Sequence, residues 1–391
     1  MRRRIVIAPD SFKGTISATD AALALARGWQ SERPHDEVLL VPQADGGEGT
    51  LDAIAQASPG AQWRSVRVAG PTGEPHDARW LLLPGTHAVV ELAECCGITL
   101  LPRSHAGELA LAPLAASSRG VGEAIAAALD AGARHVTLAL GGSASTDGGL
   151  GALSALGLRV LDGSGAPLPD GGGALSRAGT LDAAALRAAP AGGMTLLTDT
   201  TAVLTGPSGA ALMFGPQKGA TADEVATLDA ALARAAAIAG GDEHLLPGAG
   251  AAGGTAWGFA RYWGARIQSG ADTIAVLTGL DSALEGADLV ITGEGRFDAT
   301  SRAGKVVGGV LERASVAGVA VAVVAGQADP TAARDAEAHG LGRVLTLSEL
   351  AGSPAAAVSE PDRWLHAAAA AIARDQNEQY SWGAWTRTKN N

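Results

Sequence analysis

Lysine is nearly missing from this chain: four residues carry it, against twenty-five arginines. Cysteine is confined to the adjacent pair Cys95 and Cys96. That spacing suits neither a disulfide framework nor a zinc site, and it predicts a reducing, cytoplasmic setting. Aromatic residues are only 4% of the chain, so its cores must be built from small aliphatic side chains and closely packed helices. Acid exceeds base, with a net charge of -11. This excludes a broad surface for nucleic acid or anionic membrane, and leaves any anionic ligand to a few local donors. No apolar run approaches the roughly 20 residues that span a bilayer. The opening MRRR is followed by IVIAPDS, too short and too polar for a signal segment. A soluble protein is expected.

Several motifs are also missing. The eight histidines are scattered and none falls in a glycine-rich loop, which disfavours a histidine-based metal or triad site. Gly304-Lys305 lacks the earlier glycine of a Walker A loop and is followed by Val306. The protein-kinase motif set and GxSxG are absent. A nicotinamide-dependent oxidoreductase would need GxGxxG after the first strand, where PDSFKGT stands instead.

What is present is ample apolar material: 391 residues, 47% hydrophobic, enough for two domains. RIVIAPD (4–10) and EVLLVPQ (37–43) read as buried parallel strands, with a helix from about Ser17 to Trp29 between them, capped by Ser17 or Thr19. DLVITGEG (288–295), VAVAVVAG (319–326) and RVLTLSEL (343–350) repeat the rhythm late in the chain. Two early and three late strands predict one flavodoxin-like parallel layer interrupted by a long insertion. Within the insertion, WRSVRVAG, ARWLLLP and HAVVELAE read as hairpin strands, followed by alternating helix and strand. The fold class expected is α/β: a flavodoxin-like domain over 1–68 and 275–375, a mixed α/β domain over 69–274, and a polar tail over 376–391.

The polar residues that do not look like surface gather in glycine-rich loops: APDSFKGTIS, ADGGEGT, LGGSASTDGGLG, GPQKGAT and TGEGRFDATSRAGK, with PGAGAAGGT as a sixth. Glycine lets backbone amides approach an anion closely, so such loops suit phosphate. Any one loop in a chain with 54 glycines is weak; six, mostly following strands, carry weight. Lys13, Lys218 and Lys305 each lie in one of them, and only Lys389 does not. Lysine is a compact point charge suited to phosphoryl oxygens in a tight site. Asp10, Asp45, Glu48, Asp147, Asp199, Glu294 and Asp298 lie in or beside the same kinds of loop. Taken singly, each acid reads equally well as a cap or turn former; Asp147 before Gly-Gly is the best turn candidate, and Glu48 suits a helix cap.

IVIAPDSFKGTISA, PQADGGEGT, GGSASTDGG, LTGPSGAALMFGPQKGAT, PGAGAAGG and DLVITGEGRFDATSRAGK occur in an order and at spacings that resemble the bacterial glycerate kinase family, the two-domain type without a P-loop. The resemblance covers about residues 4 to 375. It implies ATP- and Mg²⁺-dependent phosphorylation of D-glycerate, most often to 2-phosphoglycerate, in a cleft between a flavodoxin-like and a second α/β domain. Two departures stand out. TDTTAVLTGPSGAA keeps Asp199 but has Ala202-Val203 where the family shows Asn-Pro, which bears on acceptor specificity or rate. Ser145-Thr146 stands where relatives often have Thr-Asn.

Under that reading Lys13 and Lys218 neutralise phosphoryl oxygens or the glycerate carboxylate, and Arg296 clamps that carboxylate. Asp45 and Asp199 bind Mg²⁺ and orient the attacking hydroxyl. Ser143 and Ser145 cradle phosphate, and Asp10, Ser11, Gly46, Gly47, Glu48, Gly49, Thr50, Asp147, Gln217, Glu294, Asp298 and Lys305 complete the binding set. Glycerate 3-kinase, or a kinase of a related small hydroxy acid, is the alternative within the class. A non-catalytic small-carboxylate binding protein is the alternative outside it. The expected partners are small molecules alone, with a homodimer left open.

Overall fold

The computed structural model describes residues 2–12, 14–103, 107–302, 306–338 and 343–375. Lys13, Lys305 and the tail 376–391, all named above, lie outside them. The chain divides into two compact units, the first drawn from 1–45, 52–59 and 271–391, the second from 46–51 and 60–270.

The first unit is built on a five-stranded parallel sheet in the order Arg343–Thr346, Ala320–Ala328, Leu289–Phe297, Arg4–Ile7, Glu37–Leu40. Numbered along the chain within this sheet, that is 2-1-3-4-5, the doubly wound flavodoxin-like order. Helices cover both faces, which is why the strands read as unbroken apolar runs. Ile5 and Ile7 face one core with Leu25, Trp29 and Leu365; Val6, Val290 and Val323 face the other with Val307, Val310 and Leu284. Helix Ala18–Glu32 starts at Ser17, whose hydroxyl accepts the Asp20 amide at 3.0 Å. This helix packs against Pro361–Asp375 so closely that a Cβ on Gly28 would lie 2.1 Å from the His366 carbonyl oxygen.

The second unit holds a six-stranded mixed sheet in the order Arg266–Gln268, Met194–Leu197, His135–Ala139, His87–Glu91, Pro75–Leu83, Gln62–Ala69. The first four strands are parallel; the last two join as antiparallel hairpins. Val90, Leu138 and Leu196 pack beneath helix Arg119–Asp130 and around Trp257 and Phe259. The unit begins earlier than residue 69, the entry expected from sequence, because Gln62–Ala69 pairs along its whole length with Pro75–Leu83. Among the described residues no helix is long and apolar enough to cross a membrane.

Replacing Gly28 with alanine drives a methyl group into backbone rather than a movable side chain. We expect Gly28→Ala to destabilise the first unit by about 2 kcal/mol or more. An unchanged thermal unfolding midpoint would contradict this packing.

Candidate active site

In the first unit the parallel strands deliver their following loops to one edge of the sheet. Asp10 and Ser11 follow Arg4–Ile7, Asp45 follows Glu37–Leu40, and Glu294, Arg296 and Asp298 end Leu289–Phe297. All six line one cavity of about 460 Å³. Crevices outside the carboxyl ends of parallel strands are where doubly wound folds take ligands. Several of these side chains are held by local bonds. Asp10 accepts the Ser11 amide at 2.7 Å, and its own amide reaches the Gly293 carbonyl. Asp298 accepts from the Thr300 amide and hydroxyl and stands 3.8 Å from the Arg296 guanidinium. Glu294 is buried at the strand end, 9% exposed.

The second unit gathers another set. Residues 140–151 follow strand His135–Ala139 and press against the loop at 46–50: the Gly141 amide donates to the Gly46 carbonyl at 2.9 Å, and a Cβ on Gly141 would lie 2.3 Å from the Gly47 Cα. Thr50 is buried and donates to the Gly47 carbonyl at 2.7 Å. The cap of helix Thr50–Ala57 comes not from Glu48 but from Glu91, whose carboxylate accepts the Gly49 and Leu51 amides, each at 3.1 Å. Sequence reasoning passed over Glu91. Its signal was a carboxylate ending the otherwise apolar strand HAVVE.

Lys218 enters this loop from inside the protein. It is 3% exposed, and its Nζ donates to Ser143 Oγ at 2.8 Å and to the Ser145 carbonyl at 2.5 Å. Burial lowers its pKa to about 8, against the favourable charges of Cys96 and Asp147. Ser145 and Asp147 are themselves buried. Asp147 accepts from the Ser118 amide, the Ser118 hydroxyl and the Gly149 amide; burial pushes its carboxyl above the usual range while those donors pull it down. Both residues serve the loop's own scaffold, and Ser143, half-buried, is the hydroxyl of this set left nearer the surface.

The glycines of PGAGAAGGT support the same loop from behind. Ala252, Gly253 and Gly254 are all left-handed, and Gly253 sits where a Cβ would lie 2.1 Å from the Ser145 carbonyl oxygen. The left-handed turn costs about 1–2 kcal/mol at Ala252, which carries a Cβ, and little at the glycines beside it. Gln217 is exposed on the short turn Pro216–Lys218. Asp199 is exposed and ties its loop to the start of helix Gly270–Leu277, accepting from Ser269 Oγ at 3.0 Å and the Gly270 amide at 2.8 Å. At the departure noted above, Ala202 is buried and its carbonyl accepts the Gly250 amide at 2.9 Å. Among the described residues no group of three or more histidine, cysteine or acidic side chains could hold a metal ion unaided.

A carboxylate-lined crevice outside the carboxyl ends of a doubly wound parallel sheet is where an enzyme of this fold class takes a small-molecule ligand. The glycerate kinase family model matches residues 5–377, and this chain belongs to that family. It is similar to the glycerate kinase of Bacillus subtilis (strain 168), 40% identical over 353 residues, 88% of this chain and 90% of that protein. It is also similar to glycerate 2-kinase of Escherichia coli (strain K12), 38% identical over 313 residues, 78% of this chain and 81% of that one. The crystal structure of a glycerate kinase 2 from Salmonella typhimurium LT2 superposes with a TM-score of 0.79 at 33% identity, covering 97% of this chain and 99% of that one. The chain is thus a kinase whose family phosphorylates glycerate and uses ATP.

The depressed pKa of Lys218 has a stability consequence. Between pH 8 and the ordinary lysine value of 10.5 the unfolded chain holds a proton that the folded chain has shed. Folding therefore gains with rising pH across that window, by on the order of 3 kcal/mol. Relative to Lys218→Met, the wild type should become more stable as pH is raised from 7.5 to 9.5. A difference in thermal midpoint that does not change with pH would refute the burial of a titrating ammonium here.

Proposed function

We propose that this protein transfers the γ-phosphoryl group of ATP to D-glycerate, giving 2-phosphoglycerate, with Mg²⁺ and in the cytoplasm. The observation that carries the reading is the convergence of Asp10, Ser11, Asp45, Glu294, Arg296 and Asp298 on one cavity, in a chain of this family. The Escherichia coli relative, named a glycerate 2-kinase, supports the choice of hydroxyl. Two free, buried thiols support a reducing compartment.

The donor set fits Mg²⁺ bound with a nucleotide, which needs only one or two protein carboxylates beside phosphate oxygens and water. Asp45 is the proposed protein ligand in the cavity, and Asp199 the proposed second acid. When bound, the cation neutralises charge on the transferring phosphoryl group. The chain's own residues supply position. Arg296, exposed at its strand end, pairs with the substrate carboxylate. Ser143 presents an oriented hydroxyl: because Lys218 already donates to its oxygen, the Ser143 proton is directed away from the lysine and toward an acceptor. An acid accepts the proton of the attacking hydroxyl, the role proposed for Asp45 or Asp199. Lys13 and Lys305 are proposed phosphate-binding residues on sequence grounds alone.

Incubation with ATP, Mg²⁺ and D-glycerate followed by phosphorus NMR should show 2-phosphoglycerate; 3-phosphoglycerate would reassign the hydroxyl, and no phosphorylated product would end the kinase reading. Asp45→Asn should lower kcat by at least 100-fold with the thermal midpoint near that of wild type. Retained turnover would remove Asp45 from the mechanism.

A further inference from the structure

The cavity of the first unit has a part that the roles above leave unused. Its four acids come from three strands that are neighbours in the sheet, Glu37–Leu40, Arg4–Ile7 and Leu289–Phe297. Past them, at the end of the outermost strand Arg343–Thr346, the lining turns aliphatic. Leu347 follows that strand, and Pro354, Ala357 and Val358 come from the short helix Pro354–Ser359. Gln327, at the end of the intervening strand Ala320–Ala328, stands between the two halves in sheet order. The cavity is therefore polarised along the sheet edge, carboxylates toward one end and aliphatic side chains toward the other. Val358 is 59% exposed, a large aliphatic surface left on a cavity wall.

Size and charge narrow the occupant. About 460 Å³ falls within the range of roughly 300–1,000 Å³ typical of cofactor-sized sites, and a three-carbon acid would leave most of it empty. Away from Arg296, a bare carboxylate also meets repulsion from Asp10, Asp45, Glu294 and Asp298. A nucleotide matches both halves: a flat, largely apolar base for the aliphatic wall, and ribose hydroxyls with cation-neutralised phosphates for the acids. Resting on the kinase reading given above, we infer that the adenine ring of ATP lies against the wall made by Leu347, Pro354, Ala357 and Val358, with Gln327 placed to hydrogen-bond the nucleoside. The triphosphate then runs along the strand ends toward Asp10 and Asp45. The first unit is the nucleotide-binding unit, and specificity for a base over bare polyphosphate is set by a short helix outside the glycine-rich motifs.

The experiment is calorimetric titration of the full-length protein with Mg·ADP and, separately, with magnesium tripolyphosphate, which has no base. Val358→Asp should weaken Mg·ADP binding about tenfold while tripolyphosphate binding stays within twofold. Val316→Asp, at an 87% exposed position on helix Val306–Ala317 outside the cavity, should change neither. In the wild type, methyl-labelled protein should show nuclear Overhauser contacts from Val358 to adenine H2 or H8, a measurement that needs no variant to fold. Unchanged Mg·ADP affinity in Val358→Asp, equal losses for ADP and tripolyphosphate, or no methyl contact with ADP bound would overturn the placement. Wild type that binds Mg·ADP yet phosphorylates no glycerate would instead sink the underlying kinase reading.

Discussion

The second unit's candidate site depends on one buried ammonium group. Lys218 spends two of its three N–H donors inside the protein, on Ser143 Oγ and the Ser145 carbonyl, and so fixes the glycine-rich loop at 140–151 from its inner side. Burying a charge without partners costs several kcal/mol, so the arrangement persists only because oxygens converge on it and Asp147 lies near. Arginine could not take the place: a planar guanidinium is larger, cannot shed its proton, and demands more acceptors than the loop offers. The rarity of lysine in this chain thus has a physical counterpart at the position where it survives between two glycines.

Around that group the glycines act mainly as spacers between backbones. Gly141 lets its loop touch Gly47, and Gly253 lets the chain from behind reach Ser145. The same residues that would suit an anion by exposing amides here bring three segments of backbone within van der Waals reach of one another. Rigidity of this kind is what a phosphoryl-transfer site needs, since catalysis there is largely positioning and charge stabilisation.

Much of the fold was legible in the sequence, for a definite reason. A parallel sheet covered on both faces needs apolar residues at every position, and RIVI, LVIT and AVAVV announce it. The helix start was legible to within two residues, because a side-chain oxygen before an apolar period suits a cap; of the two candidates, Ser17 rather than Thr19 takes that role. Gln62–Ala69 was legible as a hairpin strand through WRSVRVAG, but the boundary drawn at residue 69 cut it off from its partner Pro75–Leu83. It is an edge strand, mostly exposed, and its polar residues do not mark where the unit begins. In the first unit, Asp10, Ser11, Asp45, Glu294, Arg296 and Asp298 share a cavity because each follows or ends a strand of one parallel sheet. The depth of Lys218 was not legible, because local sequence records charge and flexibility but not which side of a loop a side chain enters. The aliphatic wall at Leu347–Val358 escaped notice for a related reason: Ala, Val and Pro in an alanine-rich chain look like any helix.

The insertion of one unit within the other has a consequence for biosynthesis. The first sheet cannot close until strands Leu289–Phe297, Ala320–Ala328 and Arg343–Thr346 have left the ribosome, and helix Ala18–Glu32 finds its packing partner only at Pro361–Asp375. Some 200 residues of the second unit emerge first and can fold as a body while the N-terminal strands wait. Those two waiting strands, apolar on both sides, are the segment of the nascent chain most in need of shielding by a chaperone.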